Sequence, residues 1–414
     1  MASLRRNFSV MVTGRAIYAA AQWLLIIVLA QLSTPDTLGH FTYALAVTGP
    51  IIVFSQLNMR AYMATDTLEL FTFRDYLYTR LASIIAALVA MGAIAFSTDV
   101  PGTAALLIIL VGLYKAIEAV SDVFYGVMQK HELMTPIARS VALRGLIALF
   151  AMTAAILTEN SVILGAAIIA IAWLAVLLLH DIPKANKLLV TNKITHRPRV
   201  WKVASTCFPM GVVLTLMSLR INIPVYFIRN QLGSESVGYY SAVAYFLVAG
   251  ALVSGSLAQA SSPRLARLLQ SGNKRGFLVL LYKLLIISSL VGVGGVVFAY
   301  IFGDTILRLF YGSNYAQLKD LLVIIMLAAA VNYLSQLLGM SLTVARLLWF
   351  QLFSNGIAAL VVFMLAYFLV PSQGLVGGGI ALLCGVSAAL ICNASALVVK
   401  LQRVASVKDR NSGT

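Results

Sequence analysis

Residues 204–230 read ASTCFPMGVVLTLMSLRINIPVYFIRN. At ~1.5 Å per residue this stretch extends roughly 40 Å, enough to cross ~30 Å of hydrocarbon. It carries one full charge near its middle, Arg220. An arginine at that depth costs roughly 2.5–3.5 kcal/mol on insertion scales. A span that keeps it is expected to face a wet cavity or an anionic partner. Pro224, just beyond, removes a backbone donor and invites a kink. The stretch reads as the start of a second half of the molecule and as one wall of a cavity for something anionic.

The rest of the chain is of the same kind. Of 414 residues, 61% are hydrophobic and 11% charged, against about 25% charged in a soluble domain. Apolar runs recur from end to end, and no polar stretch is long enough for a soluble domain. Twelve membrane spans are expected, at 8–32, 41–63, 76–97, 103–127, 137–157, 162–180, 204–230, 239–260, 277–302, 320–343, 349–370 and 375–399. Arg5 and Arg6 precede the first, which is long and interrupted by Arg15; it reads as a membrane span and not as a cleaved leader. The net charge of +16 raises the question of nucleic acid, but the cations crowd into short loops on one predicted side. Arg74, Lys130, Lys184, Lys187, Lys193, Arg197, Arg264, Arg267, Lys274, Arg275 and Arg346 are examples. That is the positive-inside pattern, so no nucleic-acid partner is expected and both termini are placed in the cytoplasm.

Two stretches repeat. LAQLSTPDTLGHFTYALAV starts at Leu29 and IRNQLGSESVGYYSAVAYF at Ile228. With a one-residue gap, Asp36 matches Glu235, Gly39 matches Gly238 and Phe41 matches Tyr240. Six spans separate the copies, so both halves point the same way, a parallel repeat about an axis along the membrane normal. The expected organisation is an all-α polytopic membrane protein: a six-helix bundle at 1–182, a basic cytoplasmic linker at 183–203, and a second six-helix bundle with a basic tail at 204–414. The linker is suited to lie along an anionic leaflet. Cys207, Cys384 and Cys392 fall in apolar spans and read as small core residues. The four histidines have no metal-ligand spacing, so no metal is expected, and no Walker A motif accompanies Gly377–Gly379.

The repeat copies resemble the polysaccharide-export proteins of the multidrug/oligosaccharidyl-lipid/polysaccharide exporter superfamily. SSPRLARLLQSGNKRGF, from Ser261, is similar to that family's inner loop between spans 8 and 9. FGDTILRLFYGSNYAQ, from Phe302, is similar to its outer segment before span 10. The best-fitting branch is the O-antigen repeat-unit flippase. The resemblance implies two bundles around a central, often cationic cavity. It further implies transfer of an undecaprenyl-diphosphate-linked oligosaccharide from the cytoplasmic to the periplasmic leaflet of the bacterial inner membrane. A polysaccharide polymerase and a chain-length regulator are further expected partners, no cofactor is expected beyond a coupling H⁺ or Na⁺, and the chain is not expected to be an enzyme.

A diphosphate needs cations along its path, and arginine's planar fork suits it. The candidates are Arg220 and Lys115 near the midplane, Arg15 and Arg144 about two turns in, and Arg60, Arg139 and Lys283 nearer the boundary, where snorkelling is the competing explanation. LLIILVGLYKAIEAVSDVFYG, from Leu106, puts Lys115, Glu118 and Asp122 on one face at i, i+3 and i+7. Lys115 and Glu118 can neutralise each other, which leaves Asp122 over. Glu118 or Asp122 is therefore the candidate for a coupling ion, unless an arginine on the first, second or fifth span pairs with it. Two other classes compete. A cation-coupled drug exporter should carry more intramembrane acids than cations. A glycan-assembly enzyme should carry a large outer loop, and the longest here, 303–319, has no nucleophile–base arrangement.

Overall fold

The computed structural model describes residues 4–66, 70–97, 102–189, 198–345 and 347–411. The expected linker and loop cations Lys193, Arg197 and Arg346 lie outside the described residues. Every regular element among those described is helical. Ten stretches are long and apolar enough to cross a membrane. Two of them, Val200–Ala244 and Leu348–Lys400, break at a glycine: Gly233 at φ 87°, ψ 177° and Gly374 at φ 61°, ψ −136°. Only a residue without Cβ enters such backbone cheaply. A helix continues after each break, as Phe246–Gln270 beyond the first, and the breaks thereby yield the twelve crossings read from the sequence. The chain is a multi-pass membrane protein, with large apolar side chains such as Phe96, Leu179 and Phe150 held outward.

The chain forms two compact units, Met1–Asn222 with Gly233–Ser241, and Ile223–Leu232 with Ala242–Thr414. In the first, the helices are α1 (Leu4–Leu32), α2 (Pro35–Gln56), α3 (Met59–Thr65), α4 (Phe73–Ser97), α5 (Gly102–Lys130), α6 (Met134–Glu159) and α7 (Val162–Val176). A π turn, Leu177–Asp181, and α8 (Ile182–Asn186) extend α7, so the helix runs into what the sequence assigns to the linker. Helix α9 (Val200–Ala244) follows. Helix α5 is the hub: α2, α4 and α7 pack on it, while α6 packs on α1 and α7. In the second unit, α10 (Phe246–Gln270), α11 (Lys274–Tyr311), α12 (Lys319–Val344) and α13 (Leu348–Asn411) pack around α12. Here the expected outer loop at 303–319 is instead the last turns of α11 and a 3₁₀ turn, Ser313–Leu318, because the apolar face of α11 persists through Ile306 and Leu307 into the core.

The predicted second span is not one helix. Leu57 and Asn58 are both left-handed, at φ 48° and 52°, and separate α2 from α3. A left-handed non-glycine residue costs on the order of 1–2 kcal/mol, less for asparagine. Packing holds the break in place. Leu57 is buried against Gly211 of α9, where a Cβ would come within 2.8 Å of its side chain. Met59 and Met63 enter a core with Phe71, Tyr76, Val123, Val127 and Cys207. Cys207 is a free, buried thiol there, and Cys384 and Cys392 are also free.

The two copies of the repeated turn meet within the first unit. Thr34 caps α2, accepting from the Thr37 amide at 3.2 Å. The Ser234 hydroxyl donates to the Asp36 carboxylate. A Cβ on Gly39 would run into the Ser234 carbonyl, and one on Gly238 into the Pro35 carbonyl. The glycines aligned by sequence are thus the pair at which these two helix starts cross.

Candidate functional site

Helix α5 presents Lys115, Glu118, Asp122, Tyr125 and Gln129 along one stripe, the period-3.6 spacing of one helix face. Partners for that stripe come from α1, α3, α4, α6 and α7. At the upper end the Lys115 ammonium donates to Glu118 Oε2 at 2.9 Å and to the Tyr18 hydroxyl at 3.2 Å. Tyr18 donates to Glu118 Oε1 at 3.3 Å. The rings of Tyr18, Tyr114 and Trp173 surround the ammonium, with centroids at 5.9, 5.8 and 5.5 Å. An ammonium held against π faces gains electrostatic attraction that partly replaces its lost water.

In the middle, Arg144 donates to the Ser121 hydroxyl and, at 3.0 Å, to Asp181 Oδ2. Its guanidinium also lies over Trp173, 5.5 Å from the ring centroid. Trp173 in turn donates its indole N–H to the Arg144 carbonyl at 3.1 Å. Arg144 and Asp181 are both buried. Asp181 is not among the sequence candidates; the π turn aims it inward, and His180 Nδ1 sits 3.0 Å from its other oxygen.

At the lower end Asp122 is held by two arginines. Arg60 Nη1 reaches Oδ1 at 3.2 Å and Arg80 Nη2 reaches Oδ2 at 3.4 Å. Asp122 is thus not left over on α5: Arg60, from the expected second span, pairs with it as the alternative allowed, and Arg80 of α4 adds a second arginine on its other oxygen. Arg60 also donates from Nε to Gln129 at 2.9 Å and covers the Tyr125 ring at 5.3 Å. Arg80, fully buried, donates to the Ser55 carbonyl at 3.2 Å. Arg15, exposed on α1, lies within electrostatic reach of Arg60 and Asp122.

Ion pairs therefore join four cations, Arg60, Arg80, Lys115 and Arg144, to three carboxylates, Glu118, Asp122 and Asp181; with Arg15 alongside, within electrostatic reach, the excess is two positive charges. It is graded in depth. Arg15 is exposed, and the side chains of Arg60, Lys115, Glu118 and Asp122 are 17–29% exposed. Arg80, Arg144 and Asp181 are sealed. The outer members can meet a ligand, and the inner ones hold them in place.

Three of the sequence candidates fall elsewhere. Arg220 is buried on α9, where its neighbours Ser218 and Asn222 face Gly49 of α2. Arg139 and Lys283 are exposed on their helices, as snorkelling side chains would be. Arg80 was missed. It sits near the start of its span and looks like any boundary arginine. No group of three or more potential metal ligands occurs among the described residues.

The fold is that of the multidrug/oligosaccharidyl-lipid/polysaccharide superfamily transporters. An inward-facing multidrug resistance MATE family transporter superposes with a TM-score of 0.75 at 13% identity, covering 95% of this chain and 96% of that one. The lipid II flippase MurJ, in an inward closed conformation, gives 0.74 at 13% identity over 96% and 89%. A superfamily transporter from Pyrococcus furiosus, described as having a binding pocket of reverse polarity, gives 0.66 at 16% identity over 97% and 95%. In sequence the chain is similar to the capsular polysaccharide biosynthesis protein CapF of Staphylococcus aureus, 26% identical over 326 residues, 77% of this chain and 80% of that protein. No family model matches the sequence.

Proposed function

We propose that the protein is a flippase that carries an undecaprenyl-diphosphate-linked oligosaccharide, a unit of O-antigen or a similar surface polysaccharide, from the cytoplasmic to the periplasmic leaflet. The single observation behind this reading is the two-charge positive excess around α5, which suits a dianionic diphosphate entering a low-dielectric region. Similarity to a capsule-biosynthesis protein and to a lipid II flippase supports the same cargo class. In this reading the protein lies in the inner membrane with both termini cytoplasmic. The cycle is one of alternating access, in which the first unit reaches to Asn222 of α9 and so beyond the expected boundary at 182–204. Arg15, Arg60 and Lys115 meet the headgroup, with Arg144 and Arg220 acting from within the protein.

Glu118 is the better coupling carboxylate for H⁺ or Na⁺. It has one lysine and one tyrosine as partners and is the more exposed acid. Neutralising Asp122 would strand the buried Arg80.

The test is reconstitution into vesicles with a fluorescent isoprenyl-diphosphate sugar. Protein-dependent transfer between leaflets is expected, with no transfer of ethidium. Movement of ethidium without the lipid would favour the second reading, a cation-coupled multidrug exporter, which the MATE-like fold keeps in view. In cells, Arg220→Ala is expected to abolish surface glycan while the protein stays in the membrane, and Arg220→Lys to restore part of it.

A further inference from the structure

Arg60 differs from the other cations in how it is mounted. It is the second residue of α3, a seven-residue helix joined to α2 through the consecutive left-handed residues Leu57 and Asn58. Left-handed backbone at two adjacent non-glycine positions is strained, and such strain persists only where the surroundings impose it. Three contacts from α5 secure α3 at Arg60: the ion pair to Asp122, the hydrogen bond to Gln129 and the stack on Tyr125. Asp122 keeps a second cation partner without them, because Arg80 holds its other oxygen from the buried side. Arg60 is thus the exchangeable member of the Arg60–Asp122–Arg80 triad.

We infer that Asp122 is a resident stand-in for the cargo's phosphate, and that Arg60 transfers from Asp122 to the diphosphate on loading and frees the strained Leu57–Asn58 joint to straighten. This deepens the proposed function and rests on its anionic cargo. Arginine is suited to such an exchange because the same fork fits a carboxylate or a phosphate. Release of Arg60 removes the polar contacts that tie the bend to α5 and leaves the packing of Leu57 on Gly211 and of the two methionines of α3 as its remaining support. Helices α2 and α3 then relax toward one continuous helix, a two-state element that only the loaded protein favours. The two methionines of α3, Met59 and Met63, are the side chains that must repack, and methionine is the residue best able to do so. Arg60 becomes a specificity determinant: a neutral lipid or a cationic drug gives it nothing to exchange for.

The test uses the full chain in nanodiscs with farnesyl diphosphate as probe and farnesol as control. Asn58→Ala makes the left-handed joint harder to keep and is expected to tighten probe binding about fivefold. Asn58→Gly relaxes the joint and is expected to weaken binding by a similar factor. In a background with the three native cysteines replaced by alanine, spin labels at Leu45→Cys and Ala61→Cys report the joint. Their separation should lengthen toward ~24 Å, the span of sixteen residues of unbroken helix, on adding the probe or, without probe, in Arg60→Gln. If the wild type binds farnesyl diphosphate no better than farnesol, the anionic-cargo reading fails. If it binds the diphosphate selectively but both Asn58 variants bind alike, or the label distance stays fixed at saturation, the exchange is overturned and the cargo reading stands.

Discussion

Arg80 grips Asp122 from the protein side: its Nη2 lies 3.4 Å from Oδ2, and its own side chain has no exposed surface. Breaking a buried pair by removing one partner is costly, roughly 3–5 kcal/mol, because the other charge is left uncompensated. Arg80→Met is therefore expected to lower the melting temperature in detergent sharply. Asp122 is partly exposed, so water can stabilise it once Arg80 is gone, which puts the loss at the low end of that range. The double variant Arg80→Met with Asp122→Asn should recover much of the stability. Melting curves of the two singles and the double check this, and strict additivity would contradict the pairing.

Glu118 and Asp122 should behave differently when neutralised. Glu118→Gln is expected to leave lipid transfer insensitive to an imposed pH or Na⁺ gradient. Asp122→Asn should keep the gradient response and change the apparent affinity for the diphosphate instead. Leaflet-transfer rates in vesicles with and without the gradient separate the two, and an unaltered gradient response in Glu118→Gln would remove it from coupling.

The crossing of α2 with the start of the helix beyond Gly233 is sensitive to a single carbon. Gly39→Ala and Gly238→Ala each place a methyl group against a backbone carbonyl, which cannot move aside as a flexible side chain can. Each is expected to reduce surface glycan and thermal stability. The double variant should be little worse than either single, since one separation of the helices accommodates both methyls. Glycan display and melting temperature report it.

Gly374 gives a contrasting case. A Cβ there meets nothing within 4 Å, so only the backbone at φ 61°, ψ −136° resists substitution. Gly374→Ala is expected to cost on the order of 1–3 kcal/mol, and Gly374→Val to cost more. A melting series across Gly, Ala and Val checks the order.

The spans, their count and the repeat were legible because hydropathy, loop charge and turn residues are local signals. Asp36 with Glu235 and Gly39 with Gly238 could be matched as a pattern for the same reason. Lys115 with Glu118 was legible as well, since helix geometry alone brings i and i+3 together. The partners of Asp122 were not. Arg60 and Arg80 reach it from helices 62 and 42 residues away in sequence, and nothing in a single chain's periodicity specifies which faces of α3 and α4 turn toward α5. The break at Leu57–Asn58 was hidden too. Leucine is a poor left-handed residue, and the bend exists because Gly211 leaves room for it, a tertiary cause with no local mark.

The π turn at Leu177–Asp181 sets a counting rule for the end of its span. It inserts one residue into the helical spiral, which rotates everything beyond it by about 100° relative to an uninterrupted α-helix. Asp181 owes its inward aim, and so its hold on Arg144, to that offset. The run of leucines before it looks indifferent to length, yet trimming one of them would swing the carboxylate toward lipid and leave a guanidinium sealed in the bundle with its counterion on the wrong side.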